Sequence, residues 1–149
     1  MTFKQKVYEH YLSLLNEKIN ALQIVLNELY DSAKNETKST AGDKHETALA
    51  MLQIEQENTH KKLQEAIEQK QQLQTIDLSV QSAIIIKGSL VQTNHAYFFI
   101  SIALGKINLD NKTIFAISPQ SPLGSKLIGS TLNESLAMND TAYFIENIY

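Results

Sequence analysis

The apolar positions in the first half of the chain repeat at helical spacing. Tyr8, Leu12, Leu15, Ile19, Leu22, Leu26 and Leu29 follow at steps of 4, 3, 4, 3, 4 and 3 residues. That is a heptad stripe, and a helix carrying one needs a partner helix. A second segment offers Ala48, Leu49, Leu52, Leu63, Ile67 and Leu73, with Gln56 and Thr59 interrupting its middle. A looser or more mobile stretch is expected there. Between the two lies the polar run Asp31 to Gly42, which has no apolar period. The pattern predicts an antiparallel helical hairpin over residues 1–75, with an acidic tip near 32–46. A helix of ~30 residues rises about 45 Å, so the hairpin is expected to stand out as a narrow finger.

The second half has a different grammar. From Lys87 onward there are four glycines and both prolines, against one glycine and no proline before it. Glycine and proline punctuate structure, so short elements joined by turns are expected over 76–149. The isoleucine-rich run Ser82–Val91 reads as a strand that ends in a turn at Thr93-Asn94-His95. Tyr97–Ala103 reads as another strand, followed by a turn at Gly105-Lys106. A turn at Asp110-Asn111-Lys112 precedes Thr113–Ile117, and Tyr143–Tyr149 closes the chain as a strand. Between the last two, Ser121 suits a helix N-cap, Pro122 the first helical position and Gly129 the exit. The fold class is therefore α+β: a two-helix hairpin, then a small antiparallel β domain with one short helix.

Composition narrows the chemistry. The 149 residues carry 13 basic and 16 acidic side chains, a net charge of −3, and the basic ones are all lysine. A mildly acidic, arginine-free chain is poorly suited to gripping a nucleic-acid backbone over its whole surface. There is no cysteine, which excludes disulfides, thiolate metal sites and cysteine nucleophiles. It also fits a reducing, cytoplasmic setting. No apolar run approaches a membrane span, and the N-terminal residues lack a signal-peptide core. No phosphate-binding glycine loop, nucleophile elbow or zinc-protease motif is present.

The strongest candidate for chemistry is the tip sequence Gly42-Asp43-Lys44-His45-Glu46. Asp43 and Glu46 stand three residues apart at the start of a helix and share one side of its first turn. Two such carboxylates can coordinate Mg²⁺ or orient a water, because hard divalent cations prefer oxygen ligands. The same pattern also reads as a capping box, Asp43 capping the helix and Glu46 answering from the third position. His45 adds a weak transition-metal signal, with a plain exposed histidine as the simpler reading. Tyr97, Phe98 and Phe99 read as strand core rather than a base-stacking platform. Lys34, Lys38, Lys44, Lys61 and Lys62 read either as a guide into an acidic channel or as a solvated helix surface.

Taken together, these parts resemble the Gre-type transcript cleavage factors of bacterial RNA polymerase. Two stretches carry the resemblance. Gly42-Asp43-Lys44-His45-Glu46 is similar to the family's tip pattern. Ile117-Ser118-Pro119-Gln120-Ser121-Pro122-Leu123-Gly124, followed by Leu127-Ile128-Gly129, is similar to its C-terminal signature. The chain departs from the family after the acids, where Thr47-Ala48-Leu49-Ala50 replaces the usual Asn-Ala-Glu-Tyr, and in its missing arginines and N-terminal opening. The resemblance implies an FKBP-like C-terminal domain that docks at the mouth of the polymerase secondary channel. Ser118, Pro119, Ser121, Pro122, Leu123 and Gly124 would form the docking loop. The finger would bring Asp43 and Glu46 to the polymerase active site, where they would help hold a second Mg²⁺ and activate the water that cuts backtracked RNA.

On this reading the chain is no enzyme itself. It needs no cofactor alone, shares Mg²⁺ with the polymerase, touches nascent RNA only indirectly, and is a monomer away from membranes. Three alternatives stand beside it: a Gre-like regulator or inhibitor that occupies the channel without cleavage, a coiled-coil assembly protein, and a prolyl isomerase. The last is disfavoured because the chain has no tryptophan for the floor of an isomerase pocket.

Overall fold

The computed structural model describes residues 1–37 and 42–149. Of the polar run Asp31–Gly42 expected as the tip loop, residues 31–37 and Gly42 are helical, while residues 38–41 and the side chain of Asp43 lie outside the described residues. In the described residues the chain is α+β. Helix α1 spans Phe3–Thr37 and α2 spans Gly42–Gln74. Strands β1 (Leu90–Thr93), β2 (Tyr97–Ile100), β3 (Gly105–Leu109) and β4 (Lys112–Ile117) follow, then helix α3 (Pro122–Leu127) and strands β5 (Ser135–Met138) and β6 (Thr141–Ile148). No described helix is long and apolar enough to cross a membrane.

The chain divides into two compact units. One joins Met1–Leu12 to Gln72–Tyr149, and the other is Ser13–Gln71. The sheet unit therefore includes the first turns of α1 and the last residues of α2.

In the helical unit the heptad stripe is the seam. Leu15 and Leu26 are buried, and Ile19, Leu22 and Leu29 half-buried. On α2 the seam is more regular than the apolar residues alone suggest. His45, Leu49, Leu52, Gln56, Thr59, Leu63, Ala66 and Lys70 are all buried or half-buried, at alternating steps of four and three. Gln56 and Thr59 thus occupy seam positions. Gln56 Nε2 donates to the Leu29 carbonyl at 3.3 Å, so the polar residue keeps a partner where an orphaned amide would be costly. Leu29 opposite Gln56, and Glu36 opposite His45, give the antiparallel sense: as numbers rise on one helix they fall on the other.

The sheet unit holds a six-stranded sheet in the order β3-β4-β2-β1-β6-β5. Four of its pairings are antiparallel, and β2 with β4 is parallel. Residues on β2 alternate between faces, as a strand requires. Phe98 and Ile100 join Ile85, Val91, Leu123, Leu127 and Ile145 in the core beneath α3. Phe99 stacks on Tyr11 at 6.3 Å, and Tyr97 meets Phe3 edge-on at 5.3 Å. The first turns of α1 thereby cover the other face.

Strand boundaries differ from the sequence reading in identifiable places. The run Ser82–Val91 is strand only from Leu90. Its earlier part instead trades hydrogen bonds with the exit of α3: Gly129 N–H donates to the Ile85 carbonyl at 2.8 Å, and Ile85 N–H to Ser130 at 2.9 Å. Gly105-Lys106, expected as a turn, opens β3. Both β3 and β5 escaped the reading, being short partners in two-residue hairpins. Asp110-Asn111 and Asn139-Asp140 have φ of 52°, 61°, 52° and 64°, the left-handed pair that tight hairpins demand.

Candidate functional site

The tip candidate belongs to the start of α2. Gly42 and Asp43 already lie within the helix, which therefore starts two residues earlier than a capping box on Asp43 requires. Glu46 is exposed and has no hydrogen bond or ion pair among the described residues. Its carboxylate is free to engage an external cation or water. Asp43 precedes it by three residues in the sequence, and its side chain lies outside the described residues.

His45 is not the plain exposed residue the sequence suggests. It continues the α2 seam, and its Nδ1 stands 3.4 Å from Glu36 Oε1 on α1. The approach is an ion-pair distance without hydrogen-bond geometry, and Nδ1 is otherwise buried and unsatisfied. Sequence patterning missed this because histidine is not counted among apolar seam residues. Its place in the four-three rhythm was the available signal. No three His, Cys, Asp or Glu side chains gather into a metal site among the described residues.

The second candidate, the loop from β4 into α3, is tightly built. The Ser118 carbonyl accepts from Ser121 N–H at 3.1 Å and from Ser121 Oγ at 2.8 Å. Ser121 Oγ in turn accepts from Gly124 N–H at 3.0 Å, the N-cap bond expected of it, and Pro122 occupies the first turn. Gly124 is required by space: a Cβ there would lie 2.0 Å from the Ser118 oxygen. Leu123 and Gly124 are buried, Ser118, Pro119 and Ser121 half-buried, and Gln120 and Pro122 exposed. Within the signature, then, Ser121 and Gly124 hold the loop's shape and Leu123 fills the core. The outward surface is offered by Pro122, with neighbouring Gln120, which the sequence reading did not single out.

The lysines proposed as channel guides divide in the same way. Lys61 and Lys62 are exposed on α2, whereas Lys38 and the Lys44 side chain lie outside the described residues.

Comparison with known proteins gives little purchase. No protein-family model matches the chain, and no curated protein matches it. The chain is similar to the solved structure of the transcription factor Gfh1, at 16% identity and a TM-score of 0.34, over 95% of this chain and 92% of that one. At that identity and TM-score the likeness does not show a shared fold.

Proposed function

We propose that this chain is a Gre-like transcription factor that enters the secondary channel of a bacterial RNA polymerase and lends Asp43 and Glu46 to its active site. The observation that carries the reading is the exposed, unpartnered carboxylate of Glu46 in the first turns of α2, three residues after Asp43. It stands at the start of α2, whose seam with the antiparallel α1 closes within one chain. Support also comes from the sequence of the tip and of the Ser118–Gly124 loop, which resemble the family in order and spacing.

The chemistry assigned to the chain is limited. Asp43 and Glu46 supply hard oxygen ligands for an Mg²⁺ shared with the polymerase, and fit that ion by donor type. When bound, the ion neutralises charge on the phosphodiester and lowers the pKa of a coordinated water. A spacing of three residues would bring both carboxylates to one side of the helix, so one insertion would deliver them together.

The test uses stalled, backtracked elongation complexes with labelled RNA and Mg²⁺. Wild-type protein should shorten the RNA faster than buffer does, and the Asp43→Ala/Glu46→Ala protein should not. Binding without stimulation by either protein would favour a second reading, a factor that occupies the channel without cleavage. The departure at Thr47-Ala48-Leu49-Ala50 is the feature that favours it. Absence of binding by either would sink both. The assembly-protein reading is weakened by the seam itself, because the stripe that would recruit another chain is already covered by its own partner helix.

A further inference from the structure

A groove of about 750 Å³ lies beside the first turn of α1, lined in part by Phe3, Lys4, Ser79, Ser82 and Tyr149. Its size falls in the range of small-molecule sites. Nothing in the tip or the α3 loop makes use of it. Lys4 is only 8% exposed, an unusual position for a lysine. Among the described residues its amine has neither hydrogen bond nor ion pair, yet it is not sealed from solvent. Burial holds the ammonium below its ordinary value, while the charge of Asp77 pulls the other way. Asp77 spends an oxygen on Ser79, accepting from both its N–H and its hydroxyl.

The helix start adds donors of its own. Thr2 and Gln5 close a reciprocal capping box: Gln5 N–H donates to Thr2 Oγ1 at 3.1 Å, and Thr2 N–H to Gln5 Oε1 at 2.8 Å. That satisfies two of the orphan amides of the first turn. The N–H groups of Phe3 and Lys4 keep no acceptor among the described contacts. Phe3 and Lys4 line the groove, so a buried lysine, two free amides and the positive end of a 35-residue helix border it, and such an end favours an anion.

We infer that this groove binds a small oxyanion-bearing ligand, a carboxylate or a phosphate, through the Lys4 ammonium and the amides of Phe3 and Lys4. Asp77 is the competing acid, and an incoming anion must displace its claim on Lys4.

The experiment follows the Phe3 and Lys4 amide resonances of the ¹⁵N-labelled full chain at fixed pH and ionic strength. One arm titrates inorganic phosphate and the other acetate. Saturable shifts at both amides are expected in at least one arm. Saturation by phosphate alone assigns a phosphate ligand, and by acetate alone a carboxylate. Lys4→Met should weaken binding at least tenfold, and Asp77→Asn, which can still accept from Ser79, should tighten it several-fold. Flat titrations in both arms, or wild-type affinity in Lys4→Met, would overturn the inference. If circular dichroism shows that Lys4→Met does not fold, Asp77→Asn decides, and unchanged affinity there overturns it as well.

Discussion

The hydroxyl of Tyr11 donates to the carbonyl of Gly105 at 2.7 Å, across 94 residues of sequence, and the Ile114 carbonyl stands 3.2 Å from the same hydroxyl as a second acceptor. This bond ties the first turns of α1 to the edge of the sheet where β3 begins. Tyr11 is 1% exposed, and burial pushes its phenol up to about 12, opposed by the backbone of Ala116.

The direction of that shift sets a pH dependence. The folded state holds the Tyr11 proton more tightly than the unfolded chain, whose tyrosines titrate near ~10. The stabilisation is complete below that value and is lost as pH rises from about 10 through about 12. At most it amounts to roughly 2–3 kcal/mol. Urea melts between pH 8 and 12 should show the loss in wild type. Tyr11→Phe should be less stable by about 1–2 kcal/mol at neutral pH and should show a shallower alkaline decline. A decline of unchanged steepness would assign the alkaline sensitivity to other groups.

Gly124→Ala should be among the most damaging small substitutions in the sheet unit. Its Cβ would meet the Ser118 oxygen at 2.0 Å and Ser121 Oγ at 2.7 Å, and backbone cannot yield that much without moving the loop. A loss above about 2 kcal/mol is expected in denaturant melts, in line with other severe packing clashes. Ser121→Ala should cost less, about 1 kcal/mol, because only the helix cap is removed.

Gln56→Leu should raise the thermal stability of the hairpin by about 1 kcal/mol, since a leucine fits a seam position better than an amide. The gain should be read in thermal melts followed by circular dichroism. A lower Tm instead would mean that the bond from Gln56 to Leu29 outweighs the apolar gain.

Glu46→Ala should leave folding nearly unchanged, within about 0.5 kcal/mol, because the side chain is exposed and unpartnered. Melts of this variant beside wild type establish whether any loss in the RNA cleavage assay is a loss of chemistry rather than of structure.

Much of this architecture was legible in the order of residue types. Tyr8 to Leu29 at heptad steps dictate a helix that must find a partner, because a stripe of that width cannot face water. Ser121, Pro122 and Gly129 mark the bounds of α3 because capping is local: it depends on a few adjacent dihedrals and one side-chain oxygen. The Asp110-Asn111 turn is legible for the same reason. What tertiary structure decided is everything that depends on residues far apart. That Ile85 bonds to Gly129 and Ser130 rather than extending β1 follows from where α3 ends. That Gln56 and His45 belong to the seam follows from what α1 places opposite them, Leu29 and Glu36. Lys4, an ordinary surface lysine by composition, is 8% exposed, in a groove it shares with the segment after α2 and the end of β6. Local chemistry writes the elements, but only their packing determines which polar groups are left without a partner.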